Sequence, residues 1–346
     1  MTKKILHIIP SANYSGAESV AITIIEKLQS EYDFCYSSFQ GTTKDILKEK
    51  NIKFLSIDKM NVKEVKRVLN EYKPDIIHAH DYRASCICAL ATKEIPIISH
   101  LHNNAPWIKT LHPFSFLYLF CSRRFKKILT VSDSIEKEYI FSKHIKNKIE
   151  CIGNPVSVEK IVKMVDCSEQ EKKYDLCCVA RITEAKNPYK FLDVLQKLKK
   201  SNSHIKAVWV GDGDLLQNVQ EKVRELELEE NIDFVGFKRN PYKYMASSKV
   251  FVLTSNWEGY GLVAFEAMSL GLPSVVSNVG GLPNIVDDHC GKLCTSTNDF
   301  CEEIELLLTD EKEYSKKSAK AKEKALQLDN IDKYIAYIKK SYDELK

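Results

Sequence analysis

SNWEGYGLVAFEAMSLGLPSVVSNVGGLP, residues 255–283, carries two carboxylates, Glu258 and Glu266, with seven residues between them. The turn Gly259-Tyr260-Gly261 follows the first. Leu262, Phe265, Ala267 and Met268 then interleave with Glu266 at helical spacing until Gly271-Leu272-Pro273 stops the run. Upstream, residues 249–254 (KVFVLT) form a short apolar, β-branched run that reads as a buried strand. Strand, glycine-rich loop and helix in that order aim backbone N–H groups and a positive helix end over the strand's carboxyl end. A phosphate suits that place. A carboxylate nearby accepts hydrogen bonds from hydroxyls, and hydroxyls beside a diphosphate describe a sugar nucleotide. Spacing alone fits equally well a capped helix with two surface glutamates.

The run from Glu258 to Val286, EGYGLVAFEAMSLGLPSVVSNVGGLPNIV, resembles the E-x7-E motif of the retaining GT-B glycosyltransferases of family 4, the "glycosyl transferases group 1". Both glutamates and the glycine spacing agree, and bacterial capsular and exopolysaccharide transferases are similar. The resemblance implies an α/β fold of GT-B type, with two doubly wound Rossmann-like domains facing each other across a cleft. It places the domains at 1–156 (acceptor side) and 157–330 (nucleotide-sugar side), with 331–346 a helix packing back on the first.

Composition agrees with an ordinary soluble globular protein, and the length allows two domains. The 346 residues are 44% hydrophobic and 28% charged, with a net charge of +4. The charge is uneven: residues 1–155 hold 23 Lys and Arg against 16 Asp and Glu, the remainder 28 against 31. The first half should therefore meet anions or an anionic surface. Nucleic acid is not expected as a partner, because the basic residues are dispersed rather than striped with aromatics. Eleven cysteines without framework spacing suggest reduced thiols and a cytoplasmic protein. Thr2-Lys3-Lys4 runs straight into a strand, with no signal-peptide pattern, and the apolar run 116–121 is too short to span a bilayer.

Strands and helices alternate along the chain in two series, each long enough for a six-stranded sheet. The strand KILHII (4–9) leads through 10–18 (PSANYSGAE) to a helix from about Glu18 to Gln29. Gly16 is the close-approach position of this loop, which resembles the family's GGxE with Ser15 in place of the first Gly. It is not a dinucleotide fingerprint, which disfavours a dehydrogenase. His78, His80, His100 and His102 end two further strands. Such pairs invite zinc, but no carboxylate or Cys completes a ligand spacing, and histidines at strand ends more often line a crevice. The resemblance assigns His102, in a HNN context, to the transferred sugar. Residues 107–127 (WIKTLHPFSFLYLFCSRRFKK) read either as a core helix with a basic cap or as a surface touching lipid headgroups. A turn at 153–156 (GNPV) and a polar joint at 168–173 separate the halves.

In the second half, Arg181 and Lys186 at a strand's carboxyl end are candidate diphosphate clamps, the first as a fork and the second as a point charge. They match the family's R-x4-K-N pattern. Gly211-Asp212-Gly213 matches its VGDG turn, so the D-x-D form at Asp212 is not read as a metal site. The resemblance gives the catalytic set as His102, Arg181, Lys186 and Glu258. The donor-binding set is Gly16, Gly211, Gly259, Tyr260, Gly261, Leu262 and Glu266. No metal or other cofactor is expected. The implied activity is retaining transfer of a sugar from a nucleotide-sugar, with uridine the expected base, to a glycan or lipid-linked acceptor, with peripheral contact at an anionic membrane a further expectation. A nucleotide-sugar epimerase of the same shape would lack this E-x7-E pattern. A binding module with a lost site would lack Arg181, Lys186 or Glu258, and all three are present.

Overall fold

The computed structural model describes residues 2–165 and 173–345. Most of the expected joint, 168–172, lies outside the described residues. The chain divides into two compact units, Met1–Pro155 with Asn330–Lys346, and Val156–Asp329.

The first unit is built on seven parallel strands: β1 (Lys4–Ile8), β2 (Asp33–Ser38), β3 (Lys53–Ser56), β4 (Ile76–His80), β5 (Ile97–Leu101), β6 (Phe125–Thr130) and β7 (Ile149–Cys151). Their order is β3-β2-β1-β4-β5-β6-β7. The sheet has one strand more than expected, because Ile149–Cys151 pairs with β6 as an edge strand rather than only closing the domain. The second unit holds six: β8 (Tyr174–Val179), β9 (Ala207–Val210), β10 (Ile232–Phe234), β11 (Ser248–Leu253), β12 (Ser274–Ser277) and β13 (Gly291–Cys294). Their order is β10-β9-β8-β11-β12-β13.

Both orders are doubly wound, and helices cover both faces of each sheet. The central strands β4, β5, β9 and β11 are therefore almost continuously buried rather than alternating. In each sheet the order reverses once, between β1 and β4 and between β8 and β11. The loops leaving the carboxyl ends of strands diverge there and leave room for a ligand.

The last helix, Ile331–Glu344, belongs to the first unit. Tyr334, Ile338, Ser341 and Tyr342 face inward. Lys3 Nζ donates to the carbonyls of Tyr342 and Leu345 at 2.8 and 2.9 Å, so a cation satisfies acceptors that the helix end leaves open. Tyr32 Oη donates to Asp343 at 2.6 Å.

Residues 107–127 do not form the core helix that is one of the two readings of this stretch. They make a short turn (Pro106–Lys109), a ten-residue helix (Pro113–Ser122) and the start of β6. His112 caps the helix and Pro113 opens it. Only Ser115, Tyr118, Cys121 and Ser122 are buried, a narrow stripe at three- and four-residue spacing. Phe114, Phe116 and Phe120 lie outside that stripe and are 49–59% exposed, so this is not a core helix. Of the basic cluster, Arg123 is the C-cap of this helix, whereas Lys126 and Lys127 lie in β6. Among the described residues no helix is long and apolar enough to cross a membrane.

Candidate active site

At the reversal point of the second sheet, two loops are stitched together. Glu184–Lys186 forms a single tight turn after β8, and Asn187 follows with φ of 46°. Asn tolerates this left-handed conformation, and Pro188 then starts the next helix, so Lys-Asn-Pro makes an abrupt corner. Thr254 Oγ1, just past β11, donates to the carbonyls of Lys186 and Asn187 at 3.2 and 3.1 Å. Asn256 donates from its backbone to Ala185 O (2.9 Å) and from its side chain to Glu184 O (2.8 Å). The result is an ion pair between Lys186 and Glu258, whose side chains are only 17% and 14% exposed. Arg181 stands exposed at the start of the same loop.

Glycines set how closely these loops approach. A Cβ on Gly211, whose φ is +147°, would lie 2.0 Å from Ala180 O; one on Gly213 would lie 2.3 Å from Ile182 O. The turn therefore rests on the backbone of the Arg181 loop, and Asp212 turns back to accept from Gly213 N at 2.7 Å. On the other side, a Cβ on Gly280 would meet Glu258 O at 1.7 Å and one on Gly281 would meet Gly259 O at 2.3 Å. The loop after β12 clamps the Glu258 loop, and no side chain could take its place.

Gly261, with φ of +95°, is the N-cap of the helix Leu262–Ser269 and brings no side chain to its first-turn N–H groups. Those groups and the helix dipole suit an anion. Leu262 is the first helical residue; Gly259 and Tyr260 form the turn before it. Glu266 is the fifth residue of the helix, is partly buried, and does not join the Lys186–Glu258 pair. Burial pushes its carboxyl up to about 7, opposed by a hydrogen bond from Tyr242 and by the charge of Lys160.

In the first unit, Gly16 is the exposed first residue of the helix Gly16–Leu28. Ser15 precedes it as N-cap, and its N–H and hydroxyl both donate to the buried Glu18 carboxylate at 3.0 and 2.5 Å. His102 follows β5, and its backbone N–H donates to Asp81 Oδ1 at 2.9 Å. Its ring is held by His80 at 2.8 Å, and burial lowers its pKa to about 3.

Sequence reading passes over Asp81. This residue adopts φ of +66°, a conformation an ordinary side chain avoids, and burial pushes its carboxyl up to about 7. The available signal is an acid directly after a buried strand ending in two histidines. His7 and Tyr342, which touch the same histidines, also escape a reading of the sequence alone.

The fold has counterparts among known proteins. Residues 15–160 match the model for Glycosyltransferase Family 4, and residues 162–325 match that for Glycosyl transferases group 1. The chain belongs to this glycosyltransferase family. It is 24% identical to the UDP-Gal:alpha-D-GlcNAc-diphosphoundecaprenol alpha-1,3-galactosyltransferase of Escherichia coli, over 99% of this chain and 97% of that protein. It is 26% identical to the GalNAc-alpha-(1->4)-GalNAc-alpha-(1->3)-diNAcBac-PP-undecaprenol alpha-1,4-N-acetyl-D-galactosaminyltransferase of Campylobacter jejuni, over 89% of each. An uncharacterized glycosyltransferase of Methanocaldococcus jannaschii shares 26% identity, and that match spans 57% of its length. Among solved structures, Anabaena HepE in complex with UDP and glucose superposes with a TM-score of 0.85 at 20% identity, covering 99% of this chain and all of that one. The fold is GT-B, and the protein is a transferase.

The raised carboxyl of Glu266 has a consequence for stability. An acid whose folded pKa lies above its ordinary value of 4.5 favours folding at low pH and loses that contribution as pH rises towards about 7. Glu266→Gln keeps the acceptor for Tyr242 and removes the charge. It should raise the melting temperature of the ligand-free enzyme at pH 8, by the equivalent of roughly 1–3 kcal/mol, and leave it unchanged near pH 4.5. Equal effects at both pH values, measured by calorimetry, would contradict this assignment.

Proposed function

We propose that this glycosyltransferase moves a sugar, with retention of anomeric configuration, from a UDP-sugar to a glycan or lipid-linked acceptor in bacterial surface polysaccharide synthesis. The observation that carries the reading is the Lys186–Glu258 pair beside a helix whose N-cap is glycine, at the reversal point of the second sheet. The base and the class of acceptor are inferred from relatives that use UDP-Gal or act on undecaprenol-linked sugars, and from the UDP held by a structural neighbour.

In this reading the diphosphate lies over the N-terminus of the helix Leu262–Ser269, reached by Arg181 and Lys186. Charge grows on the leaving phosphate as the glycosidic bond breaks. Two cations and unpaired N–H groups, already oriented, stabilise it there without a metal ion. Lys186 and Glu258 neutralise each other before the donor arrives. Binding of the diphosphate gives Lys186 a stronger partner and frees Glu258 to accept from sugar hydroxyls. Glu266 holds the ribose hydroxyls, in its ionised form. His102 is assigned a further contact to the sugar. No side chain is assigned as nucleophile.

The test is turnover across a panel of sugar nucleotides, followed by Lys186→Ala on the best donor. Turnover should fall on the order of 10²–10³-fold, with a much smaller loss of nucleotide affinity, because the cation acts mainly as charge develops. Full activity in the variant, or no turnover with any UDP-sugar, would overturn the reading.

A lipid-linked acceptor gives the exposed helix Pro113–Ser122 a use. Leu111, Phe114, Phe116 and Phe120 are solvent-facing, and the Arg123 guanidinium lies 5.8 Å from the Phe120 ring. Of the four basic residues in 123–127, two are committed internally. Lys127 pairs with Glu344 (3.0 Å) and Glu150 (3.7 Å), and Arg124 donates to Lys93 O. Arg123 and Lys126 stay exposed. At about 1 kcal/mol each near an anionic leaflet, they add little, and aromatic burial should dominate. Vesicle co-sedimentation should show binding that Phe114→Ser with Phe120→Ser abolishes and that salt only weakens. Binding unaffected by the double substitution would remove the membrane role.

A further inference from the structure

Five of the nine histidines, none paired through its ring with a carboxylate among the described residues, form one chain of hydrogen bonds with Tyr342. His102 Nε2 meets His80 Nδ1 at 2.8 Å; His80 Nε2 meets His7 Nδ1 at 3.0 Å; His7 Nε2 meets Tyr342 Oη at 3.1 Å. Tyr342 Oη meets His78 Nδ1 at 2.6 Å, and His78 Nε2 meets His100 Nδ1 at 3.1 Å. The chain ends at His100 Nε2, which is buried and has no hydrogen-bond partner among the described residues. Burial holds all five imidazoles well below their ordinary pKa, so each carries one proton, donates once and accepts once.

With one proton per ring, the two ends are not independent. A buried N–H without an acceptor is rarer than a buried acceptor without a donor. The unpartnered His100 Nε2 is therefore the bare nitrogen, and His100 donates from Nδ1 to His78 Nε2. His78 must then donate from Nδ1 to Tyr342 Oη. The hydroxyl's single proton goes to His7 Nε2, His7 donates from Nδ1 to His80 Nε2, and His80 donates from Nδ1 to His102 Nε2. We propose that this chain fixes His102 as a neutral imidazole protonated at Nδ1, so that it offers an N–H donor, never a lone pair, to an oxygen of the bound sugar. Tyr342 and His80 are positioning residues in this account. The inference rests on the proposed role of His102 for its use, but not for its geometry.

Metal binding is the competing use of the cluster, since His7, His78 and His80, and likewise His80, His100 and His102, each bring nitrogens within 4.8 Å. The rings argue against it. The bonded pairs His80–His102, His7–His80 and His78–His100 have centroids 5.0–5.2 Å apart and interplanar angles of 19–28°. That separation is two ring radii plus one N···N contact, so each bonded pair lies head to tail. The lone pairs aim at neighbouring nitrogens rather than converging on one point.

A two-bond 1H–15N correlation spectrum of the full-length protein, with 15N-labelled histidine at pH 7.5, reads the tautomer directly, with His102 assigned by its loss in His102→Gln. One neutral form protonated at Nδ1 is expected. Protonation at Nε2, an average of both forms, or the signature of a metal-bound ring would each overturn the proposal. Tyr342→Phe breaks the chain at its centre and should convert His102 to a mixture. Turnover should fall about tenfold, the order of one hydrogen bond, with nucleotide affinity unchanged. A wild-type tautomer in that variant would show that the chain does not set it. Wild-type turnover in His102→Gln would overturn the sugar contact, whereas the tautomer is decided by the spectrum alone.

Discussion

A Cβ on residue 280 would fall 1.7 Å from the carbonyl oxygen of Glu258, and the arrangement of the second unit's site depends on that contact. With the loop after β12 pressed this closely, the Glu258 loop has no room to relax. Thr254 and Asn256 fasten its other side to the loop after β8. Lys186 and Glu258 are thus held together by backbone rather than by mutual attraction alone. This matters because a partly buried ion pair is a weak source of stability by itself. Here the fold supplies the geometry, and the pair supplies charges a diphosphate can use.

The fold is legible in the sequence because both sheets are parallel. Parallel strands are buried on two faces, so 249–254 and 4–9 appear as short unbroken apolar runs separated by helical stretches. The edge strand β7 is hard to see because three residues with only partial burial carry almost no periodic signal. The candidate site is legible where backbone demands glycine or where charge follows a strand: Gly211 directly follows β9, Lys186 lies in the loop after β8, and Glu258 and Gly261 lie in the loop after β11. With Ser15 in the first position of its loop, the turn closes on Glu18 through a cap, and Gly16 stands exposed beside it.

What the sequence hides is long-range pairing. Tyr342 lies 264 residues from His78 and 335 from His7, yet touches both. No spacing rule connects them, because the contact exists only once the last helix has returned to the first unit. The helix Pro113–Ser122 misleads for the opposite reason. Its composition is apolar all round, which normally marks a buried helix, but its neighbours cover only the stripe from Ser115 to Ser122.

A crystal structure of the enzyme soaked with UDP decides the matter. The diphosphate should lie within hydrogen-bond distance of Lys186 Nζ and the N–H groups of Leu262 and Val263, with both ribose hydroxyls on Glu266. A nucleotide bound elsewhere, or one bound here with the Lys186–Glu258 pair unbroken and Glu266 still held only by Tyr242, would contradict that arrangement.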